Sequence, residues 1–196
     1  MHSLEAKIVL ASASPRRQEL LNQVGISHVQ VSPDIDEAAI KAHDIPSRLI
    51  EVARQKAIAG RRMCAESYAD LPVLAADTAV VCDGEEFGKP ADRAQARQML
   101  ARLSSRSHWV YTAVIVLSGT REESFLGATR VWFKLMSNDD IEAYCDTGEP
   151  FDKAGAYGIQ GLGARYVSRI EGCYNNVVGL PLSDTCELLQ AVGVKL

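Results

Sequence analysis

Apolar and polar positions alternate with two different periods along this chain, and the switches between them mark out its elements. Lys7–Ala11 (KIVLA) is a short unbroken apolar run of the kind a buried strand shows. After SASPRR, the segment QELLNQVG spaces its apolar residues at helical intervals and closes at Gly25. Pro15 suits a first helical turn, with Ser14 at the N-cap position. A second helix is expected from a Ser47 cap to about Met63, with Leu49, Ala53 and Ala57 on one stripe. Leu71–Val81 (LPVLAADTAVV) reads as a strand interrupted by Asp77 and Thr78, and Asp83-Gly84 then signals a hairpin. Asp92-x-x-Gln95 resembles a capping box for a helix to Leu103. His108–Leu117 and Phe125–Met136 are expected as strands around Gly119, the second with Val131, Phe133 and Leu135 on one face. Ser137 caps a short helix ending near Gly148. The glycine-rich stretch EPFDKAGAYGIQG leads to a strand near Arg165–Ile170 and a last helix from about Asp184. Strands and helices interleave but hairpins intrude, which predicts an α/β fold on a mixed sheet.

Composition narrows the function classes. The 21 basic and 25 acidic residues leave a net charge of -4, which argues against a nucleic-acid polymer as partner. A small anion held by a few placed cations stays open. Cys64, Cys82, Cys145, Cys173 and Cys186 are odd in number and widely spaced, and His2, His28, His43 and His108 lack metal-ligand spacing. Neither a disulfide framework nor a zinc site is expected, and a reducing cytoplasm is the simplest compartment. Residues 1–10 lack the pattern of a signal peptide, and no apolar stretch approaches the roughly 20 residues that cross a bilayer, so no membrane is expected as partner.

Candidate chemistry begins at Ser12–Arg17. A strand turning into a helix through small residues aims backbone N–H groups and the positive end of the helix dipole outward, as an anion site requires. Ser14, Arg16 and Arg17 are its candidate contacts, the arginines adding charge and bidentate geometry; the alternative is a capped surface helix with two solvated arginines. Asp77 is costly to bury unpaired. At the end of a strand facing a cleft it is placed to activate water or hold Mg²⁺; otherwise Asp77-Thr78 merely bends the strand. Lys56 shares the apolar stripe of its helix, so it either snorkels outward or points into a polar cleft. Lys89 is restrained between Gly88 and Pro90, or is simply a turn residue in water. Four cations, a poised acid and a helix N-terminus are the parts for handling a triphosphate with a metal.

The segments LASASPRRQELL, EVARQKA, LAADTAVVCDG, FGKPAD, GEPFDKAGAYGIQG and YNNVVGLPL follow one another as in the Maf family of nucleotide pyrophosphatases. The chain resembles that family from about residue 8 to its C-terminus. The resemblance implies a single Maf-type domain over residues 1–196. It also implies an elongated mixed sheet flanked by helices, with two lobes and a cleft, related to the inosine triphosphate pyrophosphatase fold. The implied reaction cuts a nucleoside triphosphate to monophosphate and pyrophosphate with a divalent cation (Mg²⁺, Mn²⁺ or Co²⁺), and a homodimer is implied by the family alone. By motif position Asp77 matches the proton acceptor, and Arg16, Thr78 and Gln160 match positions linked to substrate choice. Lys56 and Lys89 match lysines near the phosphates, and Glu37 of DIDE resembles an acid near the metal, alongside Asp77.

DKAGAYGIQG is similar to the branch acting on dTTP and UTP. A branch preferring 7-methyl-GTP carries a Cys before Ala-Gly and Glu-Gly for Gln-Gly, where this chain has Lys153 and Gln160-Gly161. One Gln amide offers a donor and an acceptor to a uracil or thymine edge, although a loop amide satisfied by backbone has the same sequence. The expected role is removal of surplus or modified pyrimidine nucleotides. The alternatives are a 7-methyl-GTP-type enzyme and a non-catalytic nucleotide-binding regulator of septum formation.

Overall fold

The computed structural model describes residues 6–196. Residues 1–5, on which part of the signal-peptide reading and His2 fall, lie outside the described residues. Seven strands among the described residues form one mixed sheet, accompanied by six α-helices. The strands are β1 (Ile8–Ala11), β2 (His28–Val31), β3 (Val73–Cys82), β4 (Glu85–Phe87), β5 (Ser107–Ser118), β6 (Arg121–Phe133) and β7 (Val167–Glu171). The helices are α1 (Pro15–Gln23), α2 (Ile45–Met63), α3 (Arg93–Leu103), α4 (Asn138–Asp146), α5 (Tyr174–Val178) and α6 (Leu182–Ala191). The sheet order is β2-β1-β3-β5-β6-β7, with β4 paired to β3. β1 pairs parallel with β2 and β3, whereas β3–β4 and β6–β7 are antiparallel. No helix among the described residues is long and apolar enough to cross a membrane, and the five cysteines are free thiols.

The chain partitions into two compact units. The first holds the residues up to Asp77, Thr112–Leu126 and Gly179–Leu196; the second holds Thr78–Tyr111 and Gly127–Val178. In the first, all four residues of β1 are fully buried, as expected of a parallel strand covered on both faces. Helix α2 packs on β1 and buries Leu49, Val52, Ala53, Ala57 and Gly60. The approach at Gly60 is very close: a Cβ there would stand 2.5 Å from the Ala11 Cβ. Only a residue without a side chain lets the helix sit at that depth.

Local chemistry explains where elements begin. Asp44, not Ser47, caps α2, because its carboxylate accepts from the Ser47 N–H at 2.7 Å and Pro46 sits in the first turn. Ser14 occupies the N-cap position of α1, yet its side chain makes no capping bond. Asp92 caps α3 through the Gln95 N–H at 2.8 Å, while the Gln95 side chain accepts from Ala91, one residue short of the full box. Ser137 and Asp140 form a complete box on α4. β3 runs unbroken through Asp77 and Thr78, and Asp83 and Gly84 both take positive φ in the β3–β4 turn. β6 ends at Phe133, so Val131 and Phe133 are buried and Leu135 lies beyond the strand, 74% exposed. α6 begins at Leu182, two residues before the expected Asp184, and β2 and α5 have no counterpart in the sequence reading.

The second unit buries a histidine. His108 is packed edge-on against Phe133 and Tyr157, and its Nε2 is 2.8 Å from the Tyr157 hydroxyl. Nδ1 has no hydrogen-bond partner among the described residues, so the imidazolium, which carries an N–H on both ring nitrogens, would leave that one without an acceptor. Burial pushes this imidazole down from 6.5 to about 4. Below about pH 6.5 the unfolded chain binds a proton there while the native one stays neutral until about pH 4, so stability falls with pH across that window. The loss at the bottom of the window is on the order of 3 kcal/mol. Denaturation titrations at neutral and mildly acid pH should show the decline, and His108→Gln, uncharged throughout, should reduce its slope. An equal slope in the variant would assign the acid sensitivity to other groups.

Candidate active site

Ten residues of β3 bury their side chains except at two central positions, Asp77 and Thr78. Asp77 neither interrupts the strand nor ends it: it is the fifth residue of the strand, and its tolerance there comes from a partner. The Lys56 ammonium donates to Asp77 Oδ1 at 2.7 Å and lies 2.8 Å from Glu37 Oε1. Lys56 and Asp77 are largely enclosed, with side chains 15% and 14% exposed, while Glu37 is open at 48%. Lys56 therefore does not snorkel outward. It is held on the inner side of α2, one turn before the close contact at Gly60. Glu37 opens a single 3₁₀ turn, Glu37–Ala39, capped by Asp36 accepting from the Ala39 N–H at 3.2 Å. Two carboxylates thus converge on one ammonium from separate elements.

The strand-to-helix turn is organised by Ser12, the first residue of the candidate segment Ser12–Arg17, to which the sequence assigns no individual role. Its hydroxyl accepts from the Ser14 N–H at 3.2 Å and from Arg17 Nη1 at 3.0 Å. Its carbonyl accepts from Gln30 Nε2 at 2.7 Å. Arg17 Nε also donates to the Gly179 carbonyl at 2.9 Å, so this guanidinium ties the turn to the segment before α6. Burial pushes Arg17 below its ordinary pKa, opposed by Asp77 and Glu37 and aided by Arg16. Arg16 is half-buried beside it on the first turn of α1, which carries no acidic residue to neutralise the helix dipole. The signal for Ser12 was a hydroxyl directly after a fully apolar strand, where burial obliges it to find partners.

Thr78, Lys89 and Gln160 belong to the second unit. Thr78 follows Asp77 on the strand and points to the opposite face. Lys89 is exposed, between Gly88 and a buried Pro90, and makes no ion pair among the described residues. The Gly88 carbonyl accepts from the Gly155 N–H at 3.1 Å, joining the Lys89 turn to the glycine-rich segment. Gln160 stands at the tip of a turn closed by Gly161 N–H on the Gly158 carbonyl at 3.3 Å. It is exposed, and its amide makes no hydrogen bond among the described residues, unlike a loop amide consumed by backbone. Lys153 is differently engaged: its ammonium donates to the Glu149 carbonyl at 2.9 Å and to Asp152 at 2.5 Å.

No cluster of three or more His, Cys, Asp or Glu side chains capable of holding a metal occurs among the described residues. Asp77 and Glu37 nevertheless offer two hard oxygen donors that already share one cationic group. Mg²⁺ and Mn²⁺ are commonly held by one or two carboxylates together with substrate phosphates, so the donor set fits such an ion.

A family model described as Maf-like protein matches residues 7–192. The dTTP/UTP pyrophosphatase of Vibrio vulnificus (strain YJ016) is 49% identical over 183 residues, 93% of this chain and 97% of that protein. The dTTP/UTP pyrophosphatase of Symbiobacterium thermophilum is 50% identical over 188 residues, 95% and 94% of the two chains. That of Bordetella parapertussis is 45% identical over 193 residues, 96% and 93%. With a match that leaves out only a few residues at either end, this chain belongs to the family of Maf-like proteins.

Proposed function

We propose that this protein hydrolyses dTTP and UTP to the monophosphate and pyrophosphate with the help of a divalent cation. The observation that carries the reading is the Lys56 ammonium seated between Asp77 and Glu37. A carboxylate with a proton-accepting oxygen, next to a cation and inside an apolar strand, is suited to general-base work. The names of the relatives support the substrate class.

In this reading Asp77 takes a proton from a water molecule as its oxygen bonds to the α-phosphorus. The bond from that phosphorus to the bridging oxygen breaks, and pyrophosphate leaves with the electron pair. Lys56, Lys89 and Arg16, with the N-terminal end of α1, stabilise the charge on the phosphates. Arg17 and Ser14 shape that end through Ser12. Asp77 and Glu37 would hold the divalent cation, which supplies charge neutralisation on the phosphate oxygens when bound. Thr78 and Gln160 bear on the choice of nucleotide, the Gln160 amide pairing with the uracil or thymine edge. Five free thiols fit a reducing cytoplasm as its compartment.

The test is pyrophosphate release with Mg²⁺ or Mn²⁺ across UTP, dTTP, CTP, ATP, GTP and 7-methyl-GTP. UTP and dTTP should exceed the purine nucleotides in kcat/KM by at least about tenfold, since an amide covered by a bound base but imperfectly paired with it costs roughly 1–3 kcal/mol. Preference for 7-methyl-GTP would overturn the branch, and binding without release from any nucleotide would return the protein to a regulator.

A further inference from the structure

The segment carrying Gln160 is wrapped around one carboxylate. Glu149 lies in the 3₁₀ turn Glu149–Asp152, directly after Gly148 in a left-handed conformation. Its Oε1 accepts from the Tyr144 hydroxyl at 2.6 Å and from the Gly163 N–H at 3.1 Å, and its Oε2 accepts from the Leu162 N–H at 2.8 Å. The Tyr144 hydroxyl in turn accepts from the Gly158 N–H at 3.1 Å. The backbone is therefore pinned on both sides of Gln160, at Gly158 through the tyrosine and at Leu162 and Gly163 directly. Clearance is minimal: a Cβ at Gly161 would stand 2.3 Å from Glu149 Oε2, and one at Gly158 2.8 Å from Lys153 Cε. The glycines admit the carboxylate and the Lys153 stem, and Lys153 in turn holds the Glu149 carbonyl.

We propose that Glu149 is a positioning residue for nucleotide choice, fixing the turn so that the exposed Gln160 amide meets a pyrimidine edge in one orientation. The proposal rests on Gln160 reading the base. Glu149 itself does not touch substrate in this account. All three of its partners are donors, so an ionised, acceptor-only side chain is required. Burial raises the Glu149 pKa, but the bonds from Tyr144, Leu162 and Gly163, with the charge of Lys153, outweigh it and hold the carboxyl below its ordinary value. Fixing a recognition amide reduces the ordering cost of binding and denies it alternative orientations that would suit another base.

Glu149→Gln keeps the shape and turns one acceptor into a donor facing an N–H or O–H. It should lower the UTP-to-ATP ratio of kcat/KM by about tenfold, chiefly through a higher KM for UTP, with kcat changed far less. Tyr144→Phe, which loses the hydroxyl between Gly158 and Glu149, should shift the ratio in the same direction by less, and it carries the test if Glu149→Gln does not fold. Gln160→Ala separates the two readings. It should lower the ratio by itself, and adding Glu149→Gln to it should lower the ratio no further, since residues acting as one unit are not additive. An unchanged ratio in folded Glu149→Gln and Tyr144→Phe, with Gln160→Ala lowered, overturns the role of Glu149 alone. An unchanged ratio in Gln160→Ala overturns the base reading and this role together.

Discussion

Asp77→Asn is expected to lower kcat for UTP by on the order of a hundred- to ten-thousandfold, the range typical of a lost general base. The fold should survive. An asparagine oxygen at the same place still accepts from the Lys56 ammonium, now 2.7 Å from Asp77 Oδ1, so the strand is not left with an unpaired polar group. The amide cannot take a proton from water and is a weaker metal donor, so the loss should fall on turnover rather than on nucleotide affinity. Rate measurements under saturation, beside calorimetric binding of UTP, separate the two. Turnover near the parental rate in a folded variant would remove Asp77 from the role of base.

Replacing Lys56 gives the second large effect. Lys56→Met retains the apolar stem that lies along the inner side of α2 and removes only the charge. It should reduce kcat/KM for UTP by roughly a hundredfold, the usual cost of a cation that stabilises charge in the transition state. Some stability should be lost as well, because Asp77, 14% exposed, and Glu37 no longer share a cation. The two consequences separate by comparing the melting temperature with the rate at a temperature where the variant is fully folded. Full activity with a lowered melting temperature would make Lys56 a structural cation.

Much of this arrangement was legible in the residues, for reasons that differ from place to place. β1, β3 and the Asp83-Gly84 turn were readable because short apolar runs and a positive-φ pair each have few alternatives. Asp77 and Lys56 announced themselves as charges on apolar faces, and each required a partner. That each is the other's partner was not legible, because the two are brought together by the packing of α2 beside the sheet rather than by any local spacing. The start of α2 was misplaced since Ser47 and Asp44 both qualify as caps, and only the bond from the Ser47 N–H to Asp44 decides between them. Leu135 continued a period-two pattern past the residue where pairing stops. The role of Ser12 within its candidate turn, and Glu149 altogether, were not legible because their partners are mostly backbone N–H groups and neighbouring polar side chains, which leave no trace in side-chain pattern.

The missing side chain at Gly60 sets a construction tolerance for the charged pair. Lys56 lies one helical turn before it, so the reach of its ammonium toward Asp77 depends on how closely the helix backbone rides over Ala11. Even one added methyl, 2.5 Å from the Ala11 Cβ, would have to push the helix away by about 1 Å to reach ordinary carbon–carbon contact, enough to stretch a bond of 2.7 Å. Anyone transplanting this lysine–aspartate pair into another scaffold would have to copy the bare glycine and the alanine beneath it. The two charged residues alone would arrive with nothing to set their spacing.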